Sequence, residues 1–448
     1  MDLGTVEERA AALMPGLLEE LSALVAIPSV AFPGFPSEPV HRMARAVLDL
    51  AHRSGAETAR LLDVPGGYPA VFADLAGPPG APTVLLYAHY DVQPAPPEQG
   101  WTSDPWTAVR REDGRVYGRG AADCISGILV HAGTLQVLAG ERPVRIKLVV
   151  EGEEEVADHL QDVLDADPEP FAADVFVVAD MGNPAVGVPA LTTALRGCVE
   201  CTVDVRTLDH PAHSGLFGGA APDALVALVR ILAGLHDDRG NVAVPGLTSF
   251  PWVGGDVDEA AYRRDSGLLD GVDLVGDSTL ASRLWSRPSV TVTGLDAPRV
   301  ATASNVLIPE ATAKVSMRIA PGADPHRELR LLTEHLRRSA PWNVRVEVRE
   351  GLAAAPVAVP EDGRGVAEAR RALTEAYGRP AGAIGTGGSI PLVAALRRAC
   401  PDAGVVIWGA QDVAGARIHA SDESVHPDEL RRMIVTQARL LTLLGGAG

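Results

Sequence analysis

Four short runs, residues 84–88, 146–150, 175–179 and 405–408, are almost wholly apolar. Unbroken runs of this length predict strands buried on both faces, as in a parallel sheet covered by helices. Ahead of them, Leu17, Leu18, Leu21, Leu24 and Val25 recur at helical spacing, and Pro28 stands where a helix would stop. A second helix is expected over 41–51. From about residue 195 to 349 the pattern changes to strict alternation. Ala313, Val315, Met317 and Ile319 alternate with Lys314, Ser316 and Arg318, and helical stretches fall near 223–236 and 325–339. The expected architecture is a discontinuous α/β domain, 1–194 with 353–448, on a mostly parallel sheet sandwiched by helices, and an α+β domain inserted at 195–352. The segment 246–287, with Trp252 and Trp285, shows no readable period.

Composition narrows the function. A chain of 448 residues exceeds one ordinary core, and 46% hydrophobic with 22% charged residues is a globular profile. A formal charge of -19 works against nucleic acid or an anionic membrane surface as a partner, since both require basic patches. Lys147 and Lys314 are the only lysines, which leaves few candidates for Schiff-base or phosphate-loop chemistry. The acidic start, with Glu7 and Glu8, lacks a basic stretch followed by an apolar one, and no run of about 18 apolar residues occurs. A cytoplasmic protein is expected. Four scattered cysteines do not make a disulfide framework, and Cys198 and Cys201, three apart on an alternating strand, face opposite sides of the sheet.

The candidate chemistry lies just beyond the apolar runs. His89-Tyr90-Asp91 follows the first, Glu151 to Glu155 the second and Asp180 the third. In open α/β sheets, ligands bind beyond the carboxyl ends of the strands, so these groups converge on one rim. Together with Asp123 and His419 they offer nitrogen and carboxylate donors that fit zinc or a similar metal better than calcium. Asp123 is the best candidate to bridge two ions. Glu154 beside Glu155 allows one carboxylate to bind metal while the other moves a proton, and Asp91 can accept the second N–H of His89. Each motif alone also has a plainer reading. A His-x-Asp after a strand is often structural, and an acidic run is often a solvated loop.

The segments 86–94 (LYAHYDVQP), 117–123 (YGRGAAD) and 151–155 (EGEEE) resemble the zinc metallopeptidase family of carnosinases, bacterial dipeptidases, carboxypeptidase G, aminoacylase and acetylornithine deacetylase. The likeness continues through Asp180, 195–197 (LRG), 213–219 (HSGLFGG), 305–318, 387–391 (GGSIP) and His419. It implies a zinc exopeptidase-like catalytic domain with a ferredoxin-like lid that also dimerises. Two divalent ions are implied, zinc first with manganese or cobalt as alternatives, one held by His89, Asp123 and Asp180 and the other by Asp123, Glu155 and His419. The resemblance makes Glu154 the general base and Asp91 the partner of His89, and implies a cis peptide at Asp123–Cys124. It further implies that His213 reaches into the partner subunit's active site, and that Arg318, Asn305, Gly388 and Ser389 bind substrate. Departures occur at Cys124, Ile125, Ser126, Val156, Ala157, Asp158 and Thr386. They flank the site without removing a ligand or the base.

The motifs 195–197 and 213–215 look closest to the dipeptidase and carnosinase branch. The expected reaction is hydrolysis of an amide bond in a small peptide with a free carboxylate, by a water that Glu154 activates. An N-acyl amino acid deacylase is the alternative with the same chemistry, and a catalytically silent ligand-binding relative is a third reading. A serine hydrolase lacks its Gly-x-Ser-x-Gly elbow, and a dinucleotide loop lacks its third glycine, with Asp123 in that place.

Overall fold

The computed structural model describes residues 1–157, 159–388 and 390–446. The chain forms two compact units, Met1–Thr193 with Val359–Ile384 and Ile390–Gly448, and Ala194–Ala358 with Gly385–Ser389.

In the first unit, the four apolar runs become the strands Thr83–His89, Arg145–Glu151, Val175–Val178 and Gly404–Ile407. They lie in the spatial order 145–151, 83–89, 175–178, 404–407, and each adjacent pair runs parallel. Leu86 stands opposite Leu148 on one side and Val177 on the other. Strands Ala70–Leu75 and Ala190–Leu195 join the two sides of this parallel centre antiparallel. The result is a mixed α/β fold with a largely parallel central sheet. Helices Leu3–Val25, Ile125–Val137 and Pro427–Leu444 pack on one another, and the middle one packs on strand 83–89.

The first helix starts earlier than its leucine stripe. Asp2 caps it by accepting the Thr5 N–H at 3.1 Å, and Val6 and Ala10 are buried in its early turns. The second expected helix spans Glu38–Arg53. No helix among the described residues is long and apolar enough to cross a membrane.

In the second unit, strands Gly197–Arg206, Ser289–Asp296, Glu310–Ile319 and Arg345–Ala354 form an antiparallel sheet in the order 289–296, 310–319, 197–206, 345–354. The alternation resolves as expected. Val199, Cys201, Val203, Val315 and Met317 enter a core with Leu228 and Ile231 of helix Ala224–Ala233 and Leu329, Leu332 and Leu336 of helix Pro325–Arg338. Asp223 and Asp324 cap these helices. Cys201 belongs to this core, whereas Cys198 pairs across the sheet with Arg318 and places its sulfur 3.4 Å from Ser316 Oγ. All four cysteines are unpaired.

The segment 246–287 is held by tertiary bonds rather than by a repeating apolar face. Ser286 Oγ donates to Phe250 O at 2.7 Å, the Trp252 N–H donates to Ser282 Oγ at 3.0 Å, and the Trp252 and Trp285 rings meet edge to face at 5.0 Å. Its only α-helix among the described residues is the short Glu259–Asp265.

Leu332 is fully buried between helix and sheet. Leu332→Ala is expected to lower stability by about 2–5 kcal/mol, measured by chemical denaturation, while Arg338→Ala on the exposed side of the same helix stays within about 0.5 kcal/mol.

Candidate metal centre

The rim beyond the parallel strands gathers His89, Asp91, Asp123, Glu154, Glu155, Asp180 and His419 in the first unit. His89 closes strand 83–89 and is fully buried. Its Nε2 lies 3.1 Å from Asp123 Oδ1 and 3.3 Å from Asp180 Oδ1. Asp123 Oδ2 lies 3.1 Å from His419 Nε2, which is also 3.2 Å from Glu155 Oε2. One carboxylate thus presents each oxygen to a different imidazole. His419 adopts φ 61, a left-handed backbone that few non-glycine residues take, and this turns its ring toward Asp123. The Asp123–Cys124 peptide is cis.

Asp91 has two tasks. His89 Nδ1 is 3.1 Å from its carbonyl and 3.3 Å from Oδ1, while its carboxylate oxygens accept the Glu154 and Glu155 N–H groups, each at 3.1 Å. The side chain expected to orient one imidazole therefore also fixes the loop that carries both glutamates. Gln93, which the motif contained without a role, donates from Nε2 to Glu155 Oε2 at 2.7 Å.

A further group has no counterpart in the sequence reasoning. Glu423 is buried, and its carboxylate accepts the N–H groups of Gly120 at 3.1 Å and of Ala122 and Asp123 at 3.0 Å each. Arg119 Nη1 also donates to it at 2.8 Å, with both side chains about 1% exposed. The backbone that presents Asp123 is thus clamped by a carboxylate 300 residues away along the chain. The available signal was chemical only: an arginine between two glycines, and an acidic residue four after His419.

Two groups of donor atoms are close enough to share an ion: Asp123, Glu155 and His419, and His89, Cys124 and Asp180. The Cys124 thiol also donates to Ala179 O at 3.2 Å. Burial, reinforced by neighbouring carboxylates, raises Asp180 to about 6 and holds Glu154 well above the usual carboxylate range, Asp180 being the leading charge on Glu154. Burial works against a charged His419, but its bonds to Asp123 and Glu155 outweigh it and raise the imidazole to about 10. Glu155 Oε1 is buried with no hydrogen-bond partner. Crowded acids, two imidazoles facing one carboxylate and an orphaned oxygen fit divalent cations, and the mixed nitrogen and oxygen donors fit zinc-like ions.

The remaining expected site residues lie in the second unit. His213 is exposed at the end of the short strand Ala212–His213, opposite Val306, and its Nδ1 accepts the Gly215 N–H at 3.0 Å. Asn305 is beside it, its carbonyl accepting the Ser214 N–H at 3.0 Å. Arg318 is half-buried on strand 310–319, and the Gly388 N–H donates to Thr386 Oγ1 at 3.3 Å. Ser389 and Asp158 lie outside the described residues.

A largely parallel sheet whose strand ends carry imidazoles around a shared carboxylate has the architecture of a metal-dependent hydrolase. The chain belongs to peptidase family M20/M25/M40, whose model matches residues 85–443, and it is a metal-dependent peptidase. It is 40% identical over 373 residues to the cysteinylglycine-S-conjugate dipeptidase of Corynebacterium striatum, 82% of each chain. It is 29% identical over 296 residues to the Cys-Gly metallodipeptidase dug1 of Schizosaccharomyces pombe, 60% of each chain. Among solved structures, human carnosine dipeptidase 1 superposes with a TM-score of 0.82 at 25% identity, covering 99% of both chains. The family expected from the motifs is the family found.

Breaking the Arg119–Glu423 pair leaves a buried charge and frees the backbone at Asp123. Glu423→Gln is expected to cost about 3–5 kcal/mol of stability and to weaken divalent-metal binding, measured by thermal unfolding and metal titration. Unchanged metal affinity in a folded variant would show that the clamp does not position Asp123.

Proposed function

We propose that this chain is a dinuclear zinc dipeptidase that hydrolyses the amide bond of a small peptide bearing a free carboxylate. The observation that carries this reading is the Asp123 carboxylate between His89 and His419, 3.1 Å from each. His89, Asp123 and Asp180 would hold one ion and Asp123, Glu155 and His419 the other, with zinc the metal that suits the donors and manganese or cobalt the alternatives. Two such ions supply, when bound, a water of lowered pKa and a Lewis acid for the scissile carbonyl.

Glu154 is the general base. It is buried beside the donor groups, its backbone is fixed by Asp91, and its raised pKa suits a carboxylate that takes a proton from the attacking water and passes it to the leaving amine. Asp91 orients His89. Arg318 is the fork for the substrate carboxylate, with Asn305, Gly388 and Ser389 as further substrate contacts. The dipeptidase name of the 40% identical relative favours peptides over N-acyl amino acids, and a panel of both substrate types separates the two activities. The four unpaired cysteines suit a reducing compartment such as the cytoplasm.

The second unit is proposed as a ferredoxin-like lid, inserted at 195–352, that pairs two chains. Strand Ser289–Asp296 is hydrogen-bonded on one side, to strand 310–319, and exposes Val292 and Leu295, while helix Ala224–Ala233 exposes Val226 and Val229. An open edge with apolar neighbours favours pairing with a second copy. His213 would then serve the partner's site by stabilising charge that develops in the transition state.

Glu154→Gln is expected to retain its metals and lose about 100 to 10,000-fold in turnover, measured by metal analysis and kcat. Near-normal turnover would remove Glu154 as the base. Mixing His213→Ala with Glu154→Gln under confirmed subunit exchange should restore activity, because one site of each mixed dimer then holds both intact groups. Exchange without recovery would show that His213 does not act across the dimer.

A further inference from the structure

Arg196 carries a positive charge into the interior of the second unit without a carboxylate to meet it. It is 8% exposed, and its Nη1 donates to the carbonyls of Arg283 at 3.3 Å and Arg287 at 3.4 Å and to Ser289 Oγ at 3.1 Å. Its Nε is buried without a partner. Among the described residues, Nη2 makes no hydrogen bond, and neither Arg196 nor Arg318 has an acidic side chain within salt-bridge distance. The two arginines project from the same face of the sheet. Arg318 stands opposite both Cys198 and Ser289 in register, and Arg196 is two residues before Cys198. Burial first and the charge of Arg318 second lower the Arg196 guanidinium to about 10.

The loop at 386–388 closes on Arg196. The Arg196 N–H donates to Thr386 O at 3.1 Å, Thr386 Oγ1 accepts the Gly388 N–H at 3.3 Å, and a Cβ on Gly387 would stand 2.8 Å from Arg196 Nη2. Only glycine at 387 leaves that end of the guanidinium unobstructed. Two neighbouring cations, one nearly buried, are unfavourable unless an anion joins them. We propose that Arg196 is a second substrate-carboxylate ligand, forming with Arg318 and the 386–388 loop a two-arginine subsite that selects peptides with a free C-terminal carboxylate. Nη1 is spent on holding the guanidinium in place, and Nη2 is the donor aimed at the substrate. This deepens the proposed function and rests on it, since Arg318 is the carboxylate fork there.

The test compares cysteinylglycine with its C-terminal amide. Arg196→Gln is expected to raise KM for the acid about tenfold or more, to change kcat much less, and to leave kinetics on the amide nearly unchanged, so that the preference for the acid falls by the same factor. Arg196→Lys, which keeps the charge but not the fork, recovers part of that preference. Gly387→Ala, which presses on Nη2 and leaves the arginine in place, reproduces the loss on the acid alone and decides the matter if Arg196→Gln does not fold. Equal losses on acid and amide in these variants would reduce Arg196 to a structural role and overturn the proposal. Arg318→Ala run in parallel separates the two readings: a lost acid preference there, with none in the Arg196 and Gly387 variants, removes Arg196 alone. An unchanged preference in all of them removes the carboxylate site itself.

Discussion

The centre depends on one carboxylate being held with both oxygens in use. Asp123 faces His89 with Oδ1 and His419 with Oδ2, and no adjustment of its rotamer alone could serve both. Its position has to be set by the backbone, and the backbone is set by Glu423, which gathers the N–H groups of Gly120, Ala122 and Asp123 around it and is itself neutralised by Arg119. A buried ion pair is a weak source of net stability, because desolvation offsets most of the attraction. Its value here is geometric: a charged acceptor inside the fold admits few alternative arrangements of the chain that surrounds it.

The same economy governs the opposite side of the site. Asp91 accepts from consecutive amides of Glu154 and Glu155 while its own carbonyl and carboxylate face His89. The proposed proton carrier and its neighbouring metal-type ligand therefore share one anchor with the first imidazole. Adjacent glutamates on a loop would ordinarily sample many orientations. Tying both N–H groups to one carboxylate fixes the backbone from which the two side chains leave.

Much of this was legible because the parallel centre of the sheet writes itself plainly. Strands buried on both faces need unbroken apolar runs, so 84–88 and 146–150 stood out, and the chemistry had to fall at their ends. What stayed hidden was everything fixed by distant partners. Glu423 lies 300 residues from Asp123 and carries no local pattern. Gln93 was visible as part of a motif but not as a donor to Glu155. The first helix extended beyond its leucine stripe because its early turns bury small residues such as Ala10. The segment 246–287 gave no period because its order comes from serine hydroxyls and two tryptophans meeting across the segment, contacts that a one-dimensional pattern cannot encode.

The departures from the family pattern fall into two physical kinds, and this bears on where substrate choice resides. Cys124 and Ile125 are buried at the start of helix Ile125–Val137, with the thiol bonded to Ala179 O. Ile125 packs in the core, whereas the Cys124 thiol also lies among the donor atoms near His89 and Asp180. Thr386 is different. Its carbonyl accepts the Arg196 backbone N–H and its hydroxyl the Gly388 N–H, so it ties the glycine loop to the segment that carries Arg196. The ligand-type groups thus gather in the unit built on the parallel sheet, whereas Arg196, Arg318 and the loop at 386–388 belong to the other unit.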